Sequence, residues 1–393
     1  MTAVSRARAI AERFATDDGP VLSVEPHGEG HINATYVVTV GAGDGPGRRY
    51  ILQRINRRIF RDPEAVVRNV ERVTERLRTK AVEEGGDPER EVLRLVPSAD
   101  GDAPFVRDGE GEVWRCFAMI ERASAHSVLA SPKQARTVGS AFGRLLRRLS
   151  DYPPHELEIA LPGLHDTVGH LRALRDVARD DPFGRAMEVQ EELAFAEARR
   201  RTIEAWTDLL SSEDAPARVI HSDTKVSNVL IDEDTGRGIC VIDLDTVMPG
   251  SALVDVGDFA RSVLIGPEDV GRDVDLALFD AAVRGYLGGA MGLLDETEVE
   301  HIVRATRMIA LELGIRFLAD HIAGDRWFPV GWPGENLARA RVQLGLVRAI
   351  EEREDGMARI VRRAVARSRR RRRRRPTTGD ALRFRVDGGR SRP

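Results

Sequence analysis

Two kinds of hydrophobic periodicity divide the chain. Up to about residue 120, apolar and polar positions alternate in short β-branched runs, as in residues 34–40 and 49–55, which Gly41-Ala42-Gly43-Asp44-Gly45-Pro46-Gly47 separates. Period-two alternation broken by a glycine-rich turn predicts a pair of strands. Two further strands are expected over residues 92–96 and 112–120. One helix interrupts them: Val66, Val70, Val73 and Leu77 recur at helical spacing behind Asp62, placed to cap, and Pro63, at a position where a missing N–H does no harm.

After Ala123 the spacing changes to three and four. Ser131-Pro132-Lys133-Gln134 has the form of a capping box, and Val138, Phe142, Leu145 and Leu149 continue the apolar stripe behind it. Further helices are expected over residues 185–210, 296–321 and 335–367. Between them, residues 219–245 hold two short apolar strands joined by Asp232-Glu233-Asp234-Thr235-Gly236-Arg237-Gly238, a hairpin pattern. The pattern predicts an α+β architecture. Residues 1–122 form a strand-rich N-lobe, residues 123–367 a mainly helical C-lobe, and residues 368–393 a basic tail without apolar periodicity, expected to be disordered.

Composition narrows the class. Hydrophobic residues make up 42% and charged residues 31% of the 393 residues, values typical of soluble globular proteins. No apolar run approaches the roughly 20 residues that a membrane helix needs, and the first 13 residues lack the apolar core of a signal peptide. The two cysteines, Cys116 and Cys240, both fall in expected strands and point to buried reduced thiols in a cytoplasmic protein. Net charge is −3, but residues 359–393 carry +13, which leaves −16 on the rest. Such a body is a poor ligand for nucleic acid, and no membrane or specific nucleic-acid partner is expected. Lysine occurs only at Lys80, Lys133 and Lys225, so a lysine inside a motif is informative.

That motif is His221-Ser222-Asp223-Thr224-Lys225-Val226-Ser227-Asn228, followed at the end of the hairpin by Ile242-Asp243-Leu244-Asp245. Phosphoryl transfer from ATP needs a carboxylate that orients an acceptor hydroxyl and takes its proton. It also needs oxygen ligands for Mg²⁺ and a cation on the transferring group. Asp223 supplies the base, Lys225 the cation and Asn228 a metal ligand, with Asp243 placed to bridge Mg²⁺ to the phosphates. Asp and Asn also favour ordinary turns, but turn chemistry does not explain two apolar strands delivering these residues to one edge in this order.

Together, H-x-D-x-x-x-x-N and I-D-x-D resemble the aminoglycoside phosphotransferase and choline kinase superfamily. The likeness is most specific to N-acetylhexosamine 1-kinases. It is carried by Gly30-His31-Ile32-Asn33-Ala34-Thr35, Tyr50-Ile51-Leu52-Gln53-Arg54-Ile55-Asn56, Trp114-Arg115, Val241-Ile242-Asp243-Leu244-Asp245-Thr246-Val247-Met248-Pro249-Gly250 and Gly314-Ile315-Arg316-Phe317-Leu318-Ala319-Asp320. The resemblance implies a bilobal protein-kinase-like fold with a small antiparallel-sheet N-lobe. It also implies phosphorylation, with ATP and Mg²⁺, of a sugar acceptor at its anomeric hydroxyl.

Site residues follow from the same resemblance. Gly28, Gly30, His31 and Asn33 belong to a loop that covers the phosphates. The strand lysine of protein kinases is missing; Arg54, on the same strand face as Leu52, is its expected replacement, with Gln53 as the alternative and Glu71 or Glu64 as a partner. Met119 and Glu121 lie at the hinge that receives adenine. Asp255 supports the catalytic loop. Arg316, Asp320, His321 and Trp327 line the sugar pocket beside Asp223, although Arg316 and Asp320 are also spaced for a helical ion pair. Where this chain has His321 and Trp327, the related enzymes carry tyrosine.

Overall fold

The computed structural model describes residues 2 to 373, apart from residues 17, 29–31, 43, 44, 46, 102, 130 and 266–272. Helix α1 (Ala3–Ala11) precedes strands β1 (Val21–Pro26), β2 (Ala34–Val40) and β3 (Arg48–Arg54). Helix α2 (Pro63–Glu83) starts where expected, with the Asp62 carboxylate accepting from the Ala65 N–H. A four-residue helix α3 (Pro88–Glu91) precedes the next expected strand, of which only β4 (Leu95–Val96) forms. Strands β5 (Val106–Arg107) and β6 (Val113–Ala118) complete an antiparallel sheet of order β1-β2-β3-β6-β4, with β5 also on β6.

Both faces of this sheet are covered. Tyr36, Val38, Tyr50, Leu52, Trp114 and Cys116 pack with Ala7 and Ile10 of α1. The opposite parity turns Ile51 and Phe117 toward the core of the helical region. A sheet buried on both sides carries apolar residues at both parities, so hydrophobicity alone does not say which face looks into the cleft.

The chain crosses over at β7 (Ala123–Ser124), which pairs with β9 (Val229–Asp232) of the expected hairpin; β10 (Gly238–Val241) is its other strand. Outside that hairpin, β8 (Ala217–Ile220) pairs with β11 (Met248–Ser251), a second ribbon that the sequence pattern did not indicate. Around them lie α4 (Pro132–Arg148), capped by Ser131, then α5 (Thr167–Asp180), α6 (Gln190–Ala198), α7 (Arg200–Leu210), α8 (Ala252–Val263), α9 (Leu276–Ala290), α10 (Glu296–Glu300), α11 (Ile302–Ile322) and α12 (Glu335–Arg373). Two expected long helices are broken, one at Arg199 and one at His301.

Helices α4 and α9 approach so closely that a Cβ on Gly143 would stand 2.1 Å from the Tyr286 carbonyl oxygen, and one on Gly285 2.2 Å from that of Arg136. Only glycine permits that distance. Helix α12 runs to Arg373, so residues 368–373 are helical where a disordered tail was expected; the remainder of that tail lies outside the described residues. Among the described residues, no helix is long and apolar enough to cross a membrane. Cys116 and Cys240 are buried free thiols, and burial pushes the Cys240 thiol up to about 12.

Candidate active site

The catalytic loop leaves β8 at Ile220 and is held almost entirely by α8. Buried Asp255 accepts from the backbone N–H groups of His221 (2.9 Å) and Ser222 (2.8 Å), the support role expected of it. Thr224 Oγ1 donates to the Asp255 carbonyl at 2.6 Å, and the Val226 N–H donates to Ser262 Oγ at 3.0 Å. This grip keeps Ser222 in the left-handed region at φ +66°, a conformation that needs compensating bonds. His221 Nδ1 accepts from the Asp223 N–H at 3.2 Å, so its proton sits on Nε2 and is donated to the Ile242 carbonyl at 2.9 Å. His221 therefore ties the loop to the end of β10 and is not a free base.

Four side chains converge at the open edge. Lys225 Nζ lies 2.7 Å from Asp223 Oδ2 and 3.6 Å from Asp243 Oδ2, while Asn228 Nδ2 donates to the Asp223 carbonyl (2.7 Å) and to its Oδ2 (3.2 Å). Asp223 keeps 30% of its side chain exposed and Asp243 41%, unlike the buried Asp255. Burial would raise the Asp223 carboxyl, but the adjacent Lys225 charge wins and holds it below its usual value. Asp243 is raised, first by burial and then by Asp245 and Asp223, against the pull of Lys225. It sits at φ +61°, a left-handed position that Asp tolerates better than most residues.

The residues here fit a divalent cation. Asp223 and Asp243 share one ammonium, that of Lys225, which leaves carboxylate charge to be met, and Asn228, with its amide nitrogen committed to Asp223, has its oxygen left to offer.

On the nucleotide side, several expectations need correction. Gly28 occupies φ +69° at the end of the β1 segment, as a tight phosphate loop requires, whereas Gly30 and His31 lie outside the described residues. Asn33 is not free for phosphate: Nδ2 donates to Asp245 Oδ2 at 2.6 Å and Oδ1 accepts from the Asn56 N–H at 3.0 Å, so it anchors the loop's base. Arg54 faces the wrong way. It shares its parity with Leu52, on the α1 side of the sheet, and its guanidinium lies 5.9 Å from the Trp114 ring. Glu64 pairs instead with Arg68 and Arg107, and among the described residues no ion pair joins Glu71 or Glu64 to Arg54.

On the cleft face lie Gln53, the stated alternative to Arg54, together with Thr35 and Arg115 opposite it. At the hinge, the Met119 N–H bonds to the Arg49 carbonyl at 3.0 Å, and the Glu121 carboxylate pairs with the Arg49 guanidinium. The Glu121 side chain thus braces the sheet edge, while the expected contact with adenine is one of the hinge backbone.

On the acceptor side, the four expected pocket residues separate. Asp320 is buried with both oxygens taken: Oδ1 accepts from the N–H groups of Arg326 (2.9 Å) and Trp327 (3.0 Å), Oδ2 from Phe328 N–H (2.9 Å) and Asn336 Nδ2 (3.0 Å). It fixes the loop after α11 and has nothing left for a sugar, nor does it pair with Arg316. His321 is also buried, with Nε2 on Glu188 Oε1 at 2.8 Å. Arg316 is half-buried, its guanidinium 5.5 Å from the Phe328 ring, and Trp327 is 69% exposed. Those two remain available. Beside Arg316 the structure adds a pair that the sequence did not signal: Glu312, buried on α11, with Oε1 3.0 Å from His165 Nδ1 and Oε2 accepting from Thr167 Oγ1 at 2.7 Å.

Comparison with known proteins agrees with this architecture. The chain is similar over 91% of its length to 96% of an aminoglycoside phosphotransferase from Alicyclobacillus acidocaldarius, with 16% identity and a TM-score of 0.59. A microcompartment-associated aminopropanol kinase matches at 17% identity and TM-score 0.55, covering 90% of this chain and 98% of that one. An ethanolamine kinase of Plasmodium vivax matches at 14% identity and TM-score 0.52, covering 84% of each. These likenesses establish the kinase-like fold. The model of the phosphotransferase enzyme family matches residues 23–296, from the start of the sheet through the whole catalytic hairpin, and the chain belongs to that family.

Proposed function

We propose that the protein is an ATP- and Mg²⁺-dependent kinase for a small neutral sugar, transferring the γ-phosphoryl group to the anomeric hydroxyl of an N-acetylhexosamine. The observation that carries the kinase reading is the convergence of Asp223, Lys225, Asn228 and Asp243 on one open edge. The acceptor oxygen bonds to the γ-phosphorus, the bond to the ADP oxygen breaks, and the acceptor proton passes to Asp223. Its lowered pKa makes Asp223 a weak base, which suits a loose transition state in which the acceptor is oriented first and loses its proton late. Lys225 follows the charge on the transferring group. Asn228 and Asp243 would hold Mg²⁺, which neutralises phosphate charge. At the hinge, the backbone at Met119 and Glu121 would receive adenine. Reduced buried thiols accord with a cytoplasmic enzyme.

Several structural neighbours are kinases of aminoglycosides, aminopropanol or ethanolamine. A cationic acceptor needs free carboxylates. Among the described residues of the α11 segment, Asp320 is committed to four donors and Glu312 to His165 and Thr167, while half-buried Arg316 and exposed Trp327 remain. A guanidinium and an aromatic face suit a neutral sugar carrying hydroxyl and amide oxygens. The segments Gly30 to Thr35 and Val241 to Gly250 support the same choice by their resemblance to hexosamine 1-kinases.

The test is turnover of MgATP with a panel of N-acetylglucosamine, N-acetylgalactosamine, glucosamine, kanamycin and ethanolamine, with phosphorus NMR of the product. A signal coupled to the anomeric proton is expected with the acetylated sugars. Turnover only with the cationic acceptors would overturn the sugar assignment, and none with any would overturn the kinase reading.

A further inference from the structure

Arg115 is a guanidinium with 2% of its side chain exposed, on the cleft face of β6 directly opposite Gln53 of β3. Gln53 Oε1 accepts from both its Nε (3.1 Å) and its Nη2 (2.8 Å), and Nη2 also pairs with Asp245 Oδ1. The other oxygen of Asp245 takes Asn33 Nδ2 at 2.6 Å, and Gln53 Nε2 donates to Thr35 Oγ1 at 3.2 Å. One buried network therefore joins four places distant in sequence: the base of the glycine loop, β3, β6, and the turn two residues past Asp243. Asp245 is its only acid and Arg115 its only base.

We infer that Arg115 and Asp245 are positioning residues for the nucleotide: they form an interlobe latch that fixes Asn33 and the start of β2 against the metal-binding turn. The latch does the work for which the sheet has no lysine, since lysine occurs in this chain only at Lys80, Lys133 and Lys225. Three features favour positioning over plain stabilisation. A buried ion pair is a poor source of stability compared with apolar packing, but it is a good source of register. Among the described residues, Arg115 Nη1 is buried without a hydrogen-bond partner, which a residue kept only for stability would not need. Asp245 holds Asn33 and Arg115 from a turn whose first residue, Asp243, is in the left-handed region, so the same bonds hold both the loop and that strained backbone.

The inference rests on the kinase reading, and calorimetric binding of ADP, MgADP and adenosine without any acceptor separates the two. If wild-type protein binds no MgADP, the kinase reading fails. If it does, Asp245→Asn and Arg115→Lys should each weaken MgADP about tenfold or more and reduce the gain in affinity that Mg²⁺ gives ADP, while adenosine binding stays within about twofold. The double variant Arg115→Met with Asp245→Leu removes both charges. It should regain the melting temperature but not the MgADP affinity, and it decides the matter should the single variants not fold. MgADP affinity at the wild-type level in a folded single variant, equal loss for adenosine, or recovery of both properties in the double variant would each show the pair to be structural only.

Discussion

The catalytic loop and the α11 segment carry the same kinds of side chain, acids spaced among basic residues near a helix or strand end, and use them in opposite ways. In the loop, Asp223 and Asp243 keep about a third or more of their side chains exposed and face one lysine. In the α11 segment, Asp320 is buried and saturated by three backbone N–H groups and Asn336. Asp255 resembles Asp320 and not its own neighbours, since it too is buried and accepts backbone N–H groups. A functional carboxylate in this molecule is one that the fold presents without satisfying it, and a structural carboxylate is one whose oxygens the backbone has already claimed.

The comparison breaks first at its strongest point. Asp223→Asn should lower kcat by about 10²- to 10⁴-fold, with MgATP affinity within a few-fold of wild type, because the carboxylate acts on the acceptor. Its denaturation midpoint should hardly move. Asp320→Ala should do the reverse. It strands three loop N–H groups and is expected to cost about 3 kcal/mol in urea unfolding, with kcat of the folded fraction preserved. A catalytic collapse in a stable Asp320→Ala enzyme would erase the distinction.

Arg316→Leu sharpens it. A charged donor lost from a pocket costs about 1.5–3 kcal/mol, so the acceptor KM should rise by roughly 10- to 150-fold while the ATP KM stays put. The alternative seen in the sequence, an ion pair with Asp320, does not form, so no compensating loss of stability should accompany the change. Steady-state kinetics in both substrates, with a melting curve, separates these outcomes.

What could be read from the sequence follows the same line. The convergence of Asp223, Lys225, Asn228 and Asp243 was legible because two short apolar strands end at these residues, and they meet as their spacing implied. Asp62 and Ser131 were legible as caps because a cap is a local event. Arg54 misleads because apolar parity does not distinguish the cleft face of a sheet that is buried on both faces. Asp320 and His321 misled because the loop that consumes their hydrogen bonds lies beyond the helix pattern. The Arg115–Asp245 and His165–Glu312 pairs span 130 and 147 residues, and no local signal announces such a contact.

That last pair sets a pH-dependent stability. His165 is raised above its ordinary 6.5: burial works against the charge, and Glu312 more than offsets it. Glu312 is lowered from 4.5, burial again opposing and His165 prevailing. The His165 contribution is complete below pH 6.5 and fades as pH rises through its folded value, whereas that of Glu312 is complete above 4.5 and fades as pH falls through its own. The gap in melting temperature between wild type and Glu312→Gln should therefore be widest between those two values and shrink toward pH 9. A gap independent of pH would mean that the pair is uncharged.

The smallest effect is the most direct check on the sheet's orientation. If the expected lysine substitute were Arg54, Arg54→Ala would raise the ATP KM strongly, as loss of a phosphate cation should. The guanidinium instead rests near Trp114 on the α1 face, across the sheet from Gln53 and Arg115. A half-buried cation–π contact is worth about 0.5–2 kcal/mol, so Arg54→Ala should shift stability by no more than that and leave the ATP KM within about twofold. Gln53→Leu, one residue away with the opposite parity, removes the oxygen that holds Arg115 Nε and Nη2 and should weaken MgATP binding by more than Arg54→Ala does. Measuring ATP KM for the two variants side by side tests whether one step along β3 crosses from the outer face to the nucleotide cleft; a larger effect at Arg54 would reverse the two faces.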